Sequence, residues 1–130
     1  VLFRSFDYLY TTLIKVDHII FKHKAYSAIL EEDAKLAATF GDHHSCRMGK
    51  WYAGDGKNLF GTTPSFKEIV TPHSLVHANV LKTLKCVNSK TCLTTDKEEV
   101  VANMALVEVE SFKLFDMFKN MVREGNPEVH

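Results

Sequence analysis

The chain has 130 residues, which is enough for one domain and no more. Its 16 basic and 16 acidic side chains cancel, so no net field would recruit nucleic acid or an anionic membrane surface. The 45% hydrophobic content can supply a packed core, but no apolar run approaches the length that spans a bilayer, and no signal peptide is visible.

The first residue is Val rather than Met and stands in what reads as the middle of a helical pattern. We therefore expect residues 1–130 to form a single domain cut from a longer protein. Three cysteines are an odd number, which argues against a disulfide scaffold and favours a reducing, cytoplasmic location. Cys86 and Cys92 bracket a short loop and could pair if oxidised, but free thiols are favoured in that location.

A long first helix is predicted from Phe3 to Leu30, where apolar residues recur at helical spacing. One stripe consists of Phe6, Leu9, Leu13, Val16 and Ile20, and an adjoining strip consists of Ile14, His18, Phe21 and Ala25. His18 thus lies on an apolar face, where a metal ligand in a bundle core would be, and equally where a buried structural histidine would be. Residues 31–41 are less periodic and read as a connection with a helical turn.

A short second helix is predicted from about His43 to Tyr52, with Asp42 as its N-cap. This start places Cys46 in the first turn, where unsatisfied N–H groups and the positive end of the helix dipole favour a thiolate. A thiolate binds metals and reacts with oxidants, whereas a lone cysteine taken by itself reads as an inert buried residue. Gly49 lies on nearly the same face and leaves room for a neighbouring backbone or helix.

The third predicted helix starts near Thr63 and carries His73 and His77 at i, i+4. At this spacing two imidazoles share one helix face and can hold one ion. Pro72 removes a backbone donor immediately before His73. The helix is therefore expected to kink there and aim the first histidine, or simply to start there with Thr71 as its cap.

The fourth predicted helix follows the loop between Cys86 and Cys92, where Thr95-Asp96-Lys97-Glu98 has the pattern of a capping box. It ends at Gly125-Asn126-Pro127. Its apolar stripe consists of Val100, Met104, Val107, Leu114 and Phe118, with Ser111 in the same row. No segment reads as a β-strand. The sequence therefore predicts an all-α fold, a four-helix bundle with a short extra helix or turn that carries the cysteine.

Four further histidines are predicted to lie outside any site. His43 and His44 flank Cys46, but helical geometry would turn them away from its face. His23 points in a different direction from the ligand-bearing face of the first helix, and His130 is terminal.

The order His, then Cys-x-x-Gly-x-Trp, then His-x-x-x-His resembles the chemoreceptor zinc-binding domain of bacteria. Such domains occur on cytoplasmic chemoreceptors and on some diguanylate cyclases, and the resemblance runs from the first helix to Asn79. The zinc ligands that it implies are His18, Cys46, His73 and His77. Three histidines and one cysteine fill the tetrahedral shell that zinc prefers. Asp17 and Asp42 are candidates for carboxylates that support these ligands, and equally for a surface residue or a cap.

The resemblance implies a cytoplasmic regulatory module whose Cys46 thiolate senses hypochlorous acid, or which senses the zinc level, and which acts on a fused upstream signalling domain. Related domains pair through their helices, so a homodimer is expected, without nucleic acid and without membrane insertion. A purely structural, zinc-stapled dimerisation bundle is the alternative. An enzyme is disfavoured, because a filled shell leaves no position for activated water and no general base is apparent.

Overall fold

The computed structural model describes the backbone of residues 2–126 and the side chains of residues 8–126. Seven helices follow one another along this part of the chain: α1 (Leu2–Glu31), α2 (Ala34–Ala37), α3 (Arg47–Ala53), α4 (Asp55–Phe60), α5 (Pro64–Glu68), α6 (Val70–Ser89) and α7 (Lys97–Gly125). Within the same residues there is no strand, and no helix is long and apolar enough to cross a membrane. Pro127 and His130, which figure in the sequence predictions, lie outside the described residues.

The three long helices form the frame of the molecule. The contact between α6 and α7 is the most extensive, and α1 packs on both of them. Of the short helices, α3 packs on α1, while α4 and α5 pack on α7. This arrangement confirms the predicted all-α bundle with a short helix next to the cysteine.

The start of α6 differs from the prediction. The helix begins at Val70, with Ile69 in a helical conformation between α5 and α6, so the restart lies upstream of Pro72. Thr71 therefore lies inside the helix and does not cap it. Pro72 falls in the first turn, where a missing N–H costs no intrahelical hydrogen bond.

The predicted capping box before α7 is not formed. Asp96 is the N-cap residue, but its side chain makes no capping hydrogen bond. It accepts a hydrogen bond from the Thr91 hydroxyl instead, and the Asp96 N–H donates to the Thr91 carbonyl at 3.0 Å. Asp96 therefore makes its hydrogen bonds within the loop and not with the first turn of α7.

Cys86 and Cys92 form a disulfide, so the prediction that they are free thiols is wrong. Lys90 ends α6 in the left-handed conformation, with φ 54°, and turns the chain back. The turn brings the two Cα atoms to 5.0 Å from each other, although the sequence between them contains no glycine that would indicate so tight a return. Cys46 is the free cysteine of the structure.

The core consists of two apolar clusters. The first contains Ala25, Ala28, Ile29, Val76, Val80, Leu84, Val87, Met104 and Val107, and the second contains Ile14, Met48, Trp51, Phe60, Phe66, Ile69, Leu114, Phe118 and Met121. Along α1, His18 falls between Ile14 of the second cluster and Ala25 of the first. On α6, His73 and His77 follow Ile69 of the second cluster. The buried histidines His18, His73 and His77 therefore form a polar layer between the two clusters.

The two stripes of α1 have opposite environments. Ile14 and Ala25 of the adjoining strip are fully buried. The other stripe is exposed: the exposed fractions of Leu9, Leu13, Val16 and Ile20 are 67%, 38%, 44% and 47%. The regular apolar stripe that marks this helix in the sequence thus faces outward from the single chain.

Candidate metal centre

Four side chains from three helices meet in the polar layer. His18 comes from the middle of α1, Cys46 from the start of α3, and His73 and His77 from successive turns of α6. One ligand atom from each of the four lies within 4.8 Å of those of the others. The Cys46 Sγ and the His73 Nε2 are 3.3 Å apart. Zinc–sulphur and zinc–nitrogen bonds at a tetrahedral angle hold such atoms about 3.5 Å apart, so the arrangement fits a metal ion.

The three imidazoles meet edge to face instead of stacking. The His18 ring is inclined at 77° to that of His73 and at 86° to that of His77, and the two rings of α6 are inclined at 87° to each other. The Nε2 atoms of His18 and His77 are buried and have no hydrogen-bond partner. A buried nitrogen without a partner costs free energy, and a shared cation would satisfy both atoms together.

Main-chain carbonyls set the tautomers of two of these histidines. The Nδ1 of His18 lies 3.0 Å from the Ile14 carbonyl oxygen, and the Nδ1 of His77 lies 3.0 Å from that of Gly41. Because a carbonyl only accepts, each Nδ1 must carry the proton and donate it. The lone pair of each ring is then on Nε2, the atom that points into the site.

Burial keeps the three histidines neutral. It is the main cause that lowers the pKa of His73 to about 2, with the neighbouring His18 and His77 adding to it. Burial likewise lowers the pKa of His77 to about 4 and lowers that of His18. A metal binds the neutral form of histidine, so at neutral pH these rings need to lose no proton before they bind an ion.

The prediction that Cys46 lies in the first turn of α3 is wrong, because Cys46 is itself the N-cap residue of this helix. Its Sγ accepts a hydrogen bond from the Gly49 N–H at 3.4 Å. Burial raises the pKa of the Cys46 thiol, and the hydrogen bonds from the Gly49 and Met48 N–H groups offset only part of that effect. The protein groups alone therefore favour the thiol, and a bound cation is what would make it a thiolate.

Gly49 allows the cysteine turn to close on the helix, as predicted. A Cβ at this position would lie 2.1 Å from the His43 carbonyl oxygen and 2.8 Å from that of His44. Any larger residue would push the backbone before Cys46 away from α3. The glycine therefore positions the sulphur through the chain that precedes it.

His43 does not turn away from the site, contrary to the prediction. Because α3 begins only at Arg47, residues 42–46 form a turn to which helical geometry does not apply. This turn brings the His43 ring to 5.5 Å from the His73 ring. His44 and His23 are exposed, as expected.

The two candidate carboxylates lie next to the site but make other contacts. Asp17 forms an ion pair with Arg47, the residue after Cys46, at 3.1 Å. Asp42 accepts a hydrogen bond from the His44 N–H at 3.0 Å, so it caps the turn instead of a helix. The carbonyl oxygens described above occupy the Nδ1 positions that carboxylates were expected to hold.

Sequence patterns did not indicate several residues of this layer. The Ile14 and Gly41 carbonyls leave no signal, because every residue has one. Phe21 packs its ring 4.4 Å from that of His77. Its position on the same strip of α1 as His18 is the signal that could have marked it.

The fold and the site together define a helical-bundle domain with a buried centre of three histidines and one cysteine, which suits a tetrahedral ion such as zinc. The model of the family described as chemoreceptor zinc-binding domain matches residues 18–84, just over half of the chain and a span that includes all four side chains. The chain belongs to this family, which is a regulatory and not a catalytic one. Searches of curated proteins and of solved structures returned no match.

Proposed function

We propose that this domain is the sensory part of a cytoplasmic bacterial chemoreceptor, in which His18, Cys46, His73 and His77 hold one zinc ion and Cys46 responds to oxidant. The observation that carries the proposal is the convergence of four ligand atoms within 4.8 Å, two of them buried nitrogens without a partner. Zinc, when bound, stabilises the Cys46 thiolate and joins α1, α3 and α6.

An open cavity beside the cysteine supports the sensing of small oxidants. Its volume is about 200 Å³, and Cys46 and His77 lie in its wall together with Phe21, Phe40 and Ser45. Hypochlorous acid is small enough for such a space. The thiolate would attack its chlorine and release hydroxide, and water would then hydrolyse the sulfenyl chloride to a sulfenic acid and HCl. Sulfenic acid is a poorer zinc ligand than thiolate, so oxidation would loosen the metal.

The packing of α3 offers a route from the cysteine to the long helices. Trp51 of α3 contacts Tyr10 of α1, with ring centroids 5.7 Å apart, and Phe118 of α7 at 6.1 Å. A shift of α3 after oxidation of Cys46 would therefore disturb both helices. Tyr10 belongs to the N-terminal part of α1, the end that would join a fused upstream signalling domain.

The test of the metal site is the replacement of His77. Protein purified without added metal should carry one zinc ion per chain by mass spectrometry. In His77→Ala the zinc affinity should fall by at least about 100-fold, because the loss of only a hydrogen-bond partner of a ligand already costs up to about that much. The variant should also unfold at a lower temperature. His23→Ala, an exposed histidine of α1, is the control and should keep its zinc. Full occupancy in the His77 variant would rule out the assignment.

A homodimer is part of the proposal, and its support is the exposed apolar surface of α1 and α7. On α7, Val101, Leu106, Val109 and Phe112 are 63%, 50%, 49% and 75% exposed. An apolar cavity of about 440 Å³ runs between the two helices, with Tyr26, Leu30 and Val101 in its wall. Burial of this surface against a second copy would remove it from water. We propose no contact with nucleic acid or membrane, since the net charge is zero.

Three other functions make different predictions about this site. A sensor of the zinc level would show reversible loss of metal in the absence of oxidant, whereas a structural zinc staple would keep its metal and its conformation under both conditions. A metal-dependent enzyme would need an open coordination position, which four protein ligands do not leave.

A further inference from the structure

We infer that His43 is a transient zinc ligand, through which the metal passes between solvent and the four-ligand site. The inference rests on the proposed function, because it requires a zinc ion at that site. His43 is not one of the four proposed zinc ligands, whose ligand atoms lie within 4.8 Å of one another.

The His43 ring lies between the buried site and the surface of the protein. The buried His73 ring contacts the His43 ring at a centroid distance of 5.5 Å and an angle of 85°. The His43 ring, which is half-buried, lies against that of His44 at 4.0 Å. His44 is exposed. His43 is therefore a possible metal ligand between the buried site and water, on the side of the site where His73 lies.

The position of His43 is fixed by the same contacts that place the cysteine. Its carbonyl oxygen lies against Gly49, where a Cβ would come within 2.1 Å, and it is 3.6 Å from the Cys46 Sγ. The side chain of His43 is an imidazole, the commonest protein ligand of zinc. The approach of its ring to His73 is thus a feature of the folded turn.

A closed site of four protein ligands exchanges its ion slowly, because bonds must break before any new one forms. An additional imidazole at the edge of the site changes this order of events. Its bond to zinc can form while a bond to one of the four ligands breaks, because zinc can take a fifth ligand transiently. The barrier falls equally for release and for uptake. The equilibrium affinity stays the same, because His43 is bound in neither end state.

The experiment compares His43→Ala with His44→Ala, a matched control in the next position. The first measurement is the rate of zinc transfer from the loaded protein to an excess of a chromogenic chelator. The second is the rate of zinc uptake by the stripped protein, and the third is the affinity by competition. In His43→Ala both rates should fall by about tenfold, which corresponds to a barrier higher by about 1.4 kcal/mol, with the affinity unchanged. His44→Ala should match the wild type.

Several results would overturn the inference. Unchanged rates in His43→Ala would show that zinc leaves by another path, and faster release with weaker affinity would show that His43 only supports the fold. Equal slowing of zinc transfer in both variants would mean that the effect comes from the charge or bulk of the turn and not from a bond between His43 and zinc. If His43→Ala does not fold by circular dichroism, His43→Gln provides the same comparison. A wild type without zinc would overturn the proposed function itself, which separates the two failures.

Discussion

At the scale of single residues, the Cys46 sulphur lies 3.3 Å from the His73 Nε2 and accepts a hydrogen bond from the Gly49 N–H at 3.4 Å. It therefore links the metal site to the start of α3 through one sulphur atom. Any change in the charge of that sulphur acts on both at once, since a neutral oxidised sulphur is a weaker ligand and a weaker acceptor.

The first residue-scale prediction concerns oxidation of Cys46. Limited hypochlorous acid should oxidise this residue and release about one zinc ion per chain, whereas hydrogen peroxide should react slowly, because a metal-bound thiolate shares its electron density with the cation. Zinc release is followed with a chromogenic chelator, and oxidised residues are mapped by mass spectrometry. Cys46→Asp retains an anionic ligand that cannot be oxidised, so it should keep its zinc. Release of zinc while Cys46 remains intact would leave the site a structural staple.

The second residue-scale prediction concerns Gly49. In Gly49→Ala the new Cβ would overlap the His43 carbonyl oxygen, and the turn that carries Cys46 must move. Overpacking of this kind costs about 1–3 kcal/mol of unfolding free energy, and zinc affinity should fall with it. Denaturant unfolding and zinc competition measure the two effects. Lys50→Ala, an exposed position in the same helix, should change neither. Equal behaviour of the two variants would mean that the close approach has no role.

At the scale of elements, α6 carries two ligands of the candidate metal site and one cysteine of a disulfide. Its first turns carry His73 and His77, and Cys86 near its C-terminus is bonded to Cys92. The disulfide closes the connection between α6 and α7, the pair of helices with the most extensive contact. It also leaves Cys46 as the free cysteine, which agrees with a selective response of that residue.

The prediction for this element is that the disulfide stabilises the bundle. Closing so short a loop should contribute about 2 kcal/mol to the free energy of unfolding. The Cys86→Ser/Cys92→Ser double variant should be less stable than the wild type by that amount in oxidising buffer. A phosphine reductant should remove most of the difference without removing zinc. A difference that is the same with and without reductant would mean that the two cysteines are not bonded in solution.

At the scale of the whole molecule, the exposed apolar stripe of α1 is the reason to expect a homodimer. We predict a dimer at micromolar concentration, measured by light scattering. Val16→Glu would place a charge in the centre of the stripe and should shift the mass to that of a monomer, because burying an unpaired carboxylate is costly. Lys67→Glu, exposed on α5, is the control and should leave the mass unchanged. A monomeric wild type would count against the dimer of this chain.

The sequence by itself determined the helical class and most of the local features of the site. Apolar spacing predicted the long helices, and the i, i+4 pair placed His73 and His77 on one face of α6. The Cys-x-x-Gly-x-Trp pattern singled out Cys46, and the close approach at Gly49 was foreseen. These are local properties, which follow from the period of the helix and from the absence of a side chain.

Only the tertiary structure decided which faces meet. Both stripes of α1 have the same helical period, and the sequence cannot tell a stripe that faces the core from one that faces outward. The Gly41 carbonyl reaches His77 and the His43 ring reaches His73 across long intervals of chain, through backbone turns that carry no side-chain signal. The Cys86–Cys92 bond depends on a left-handed residue, Lys90, that is not a glycine. Contacts between distant segments are set by packing, and packing is a property of the whole chain.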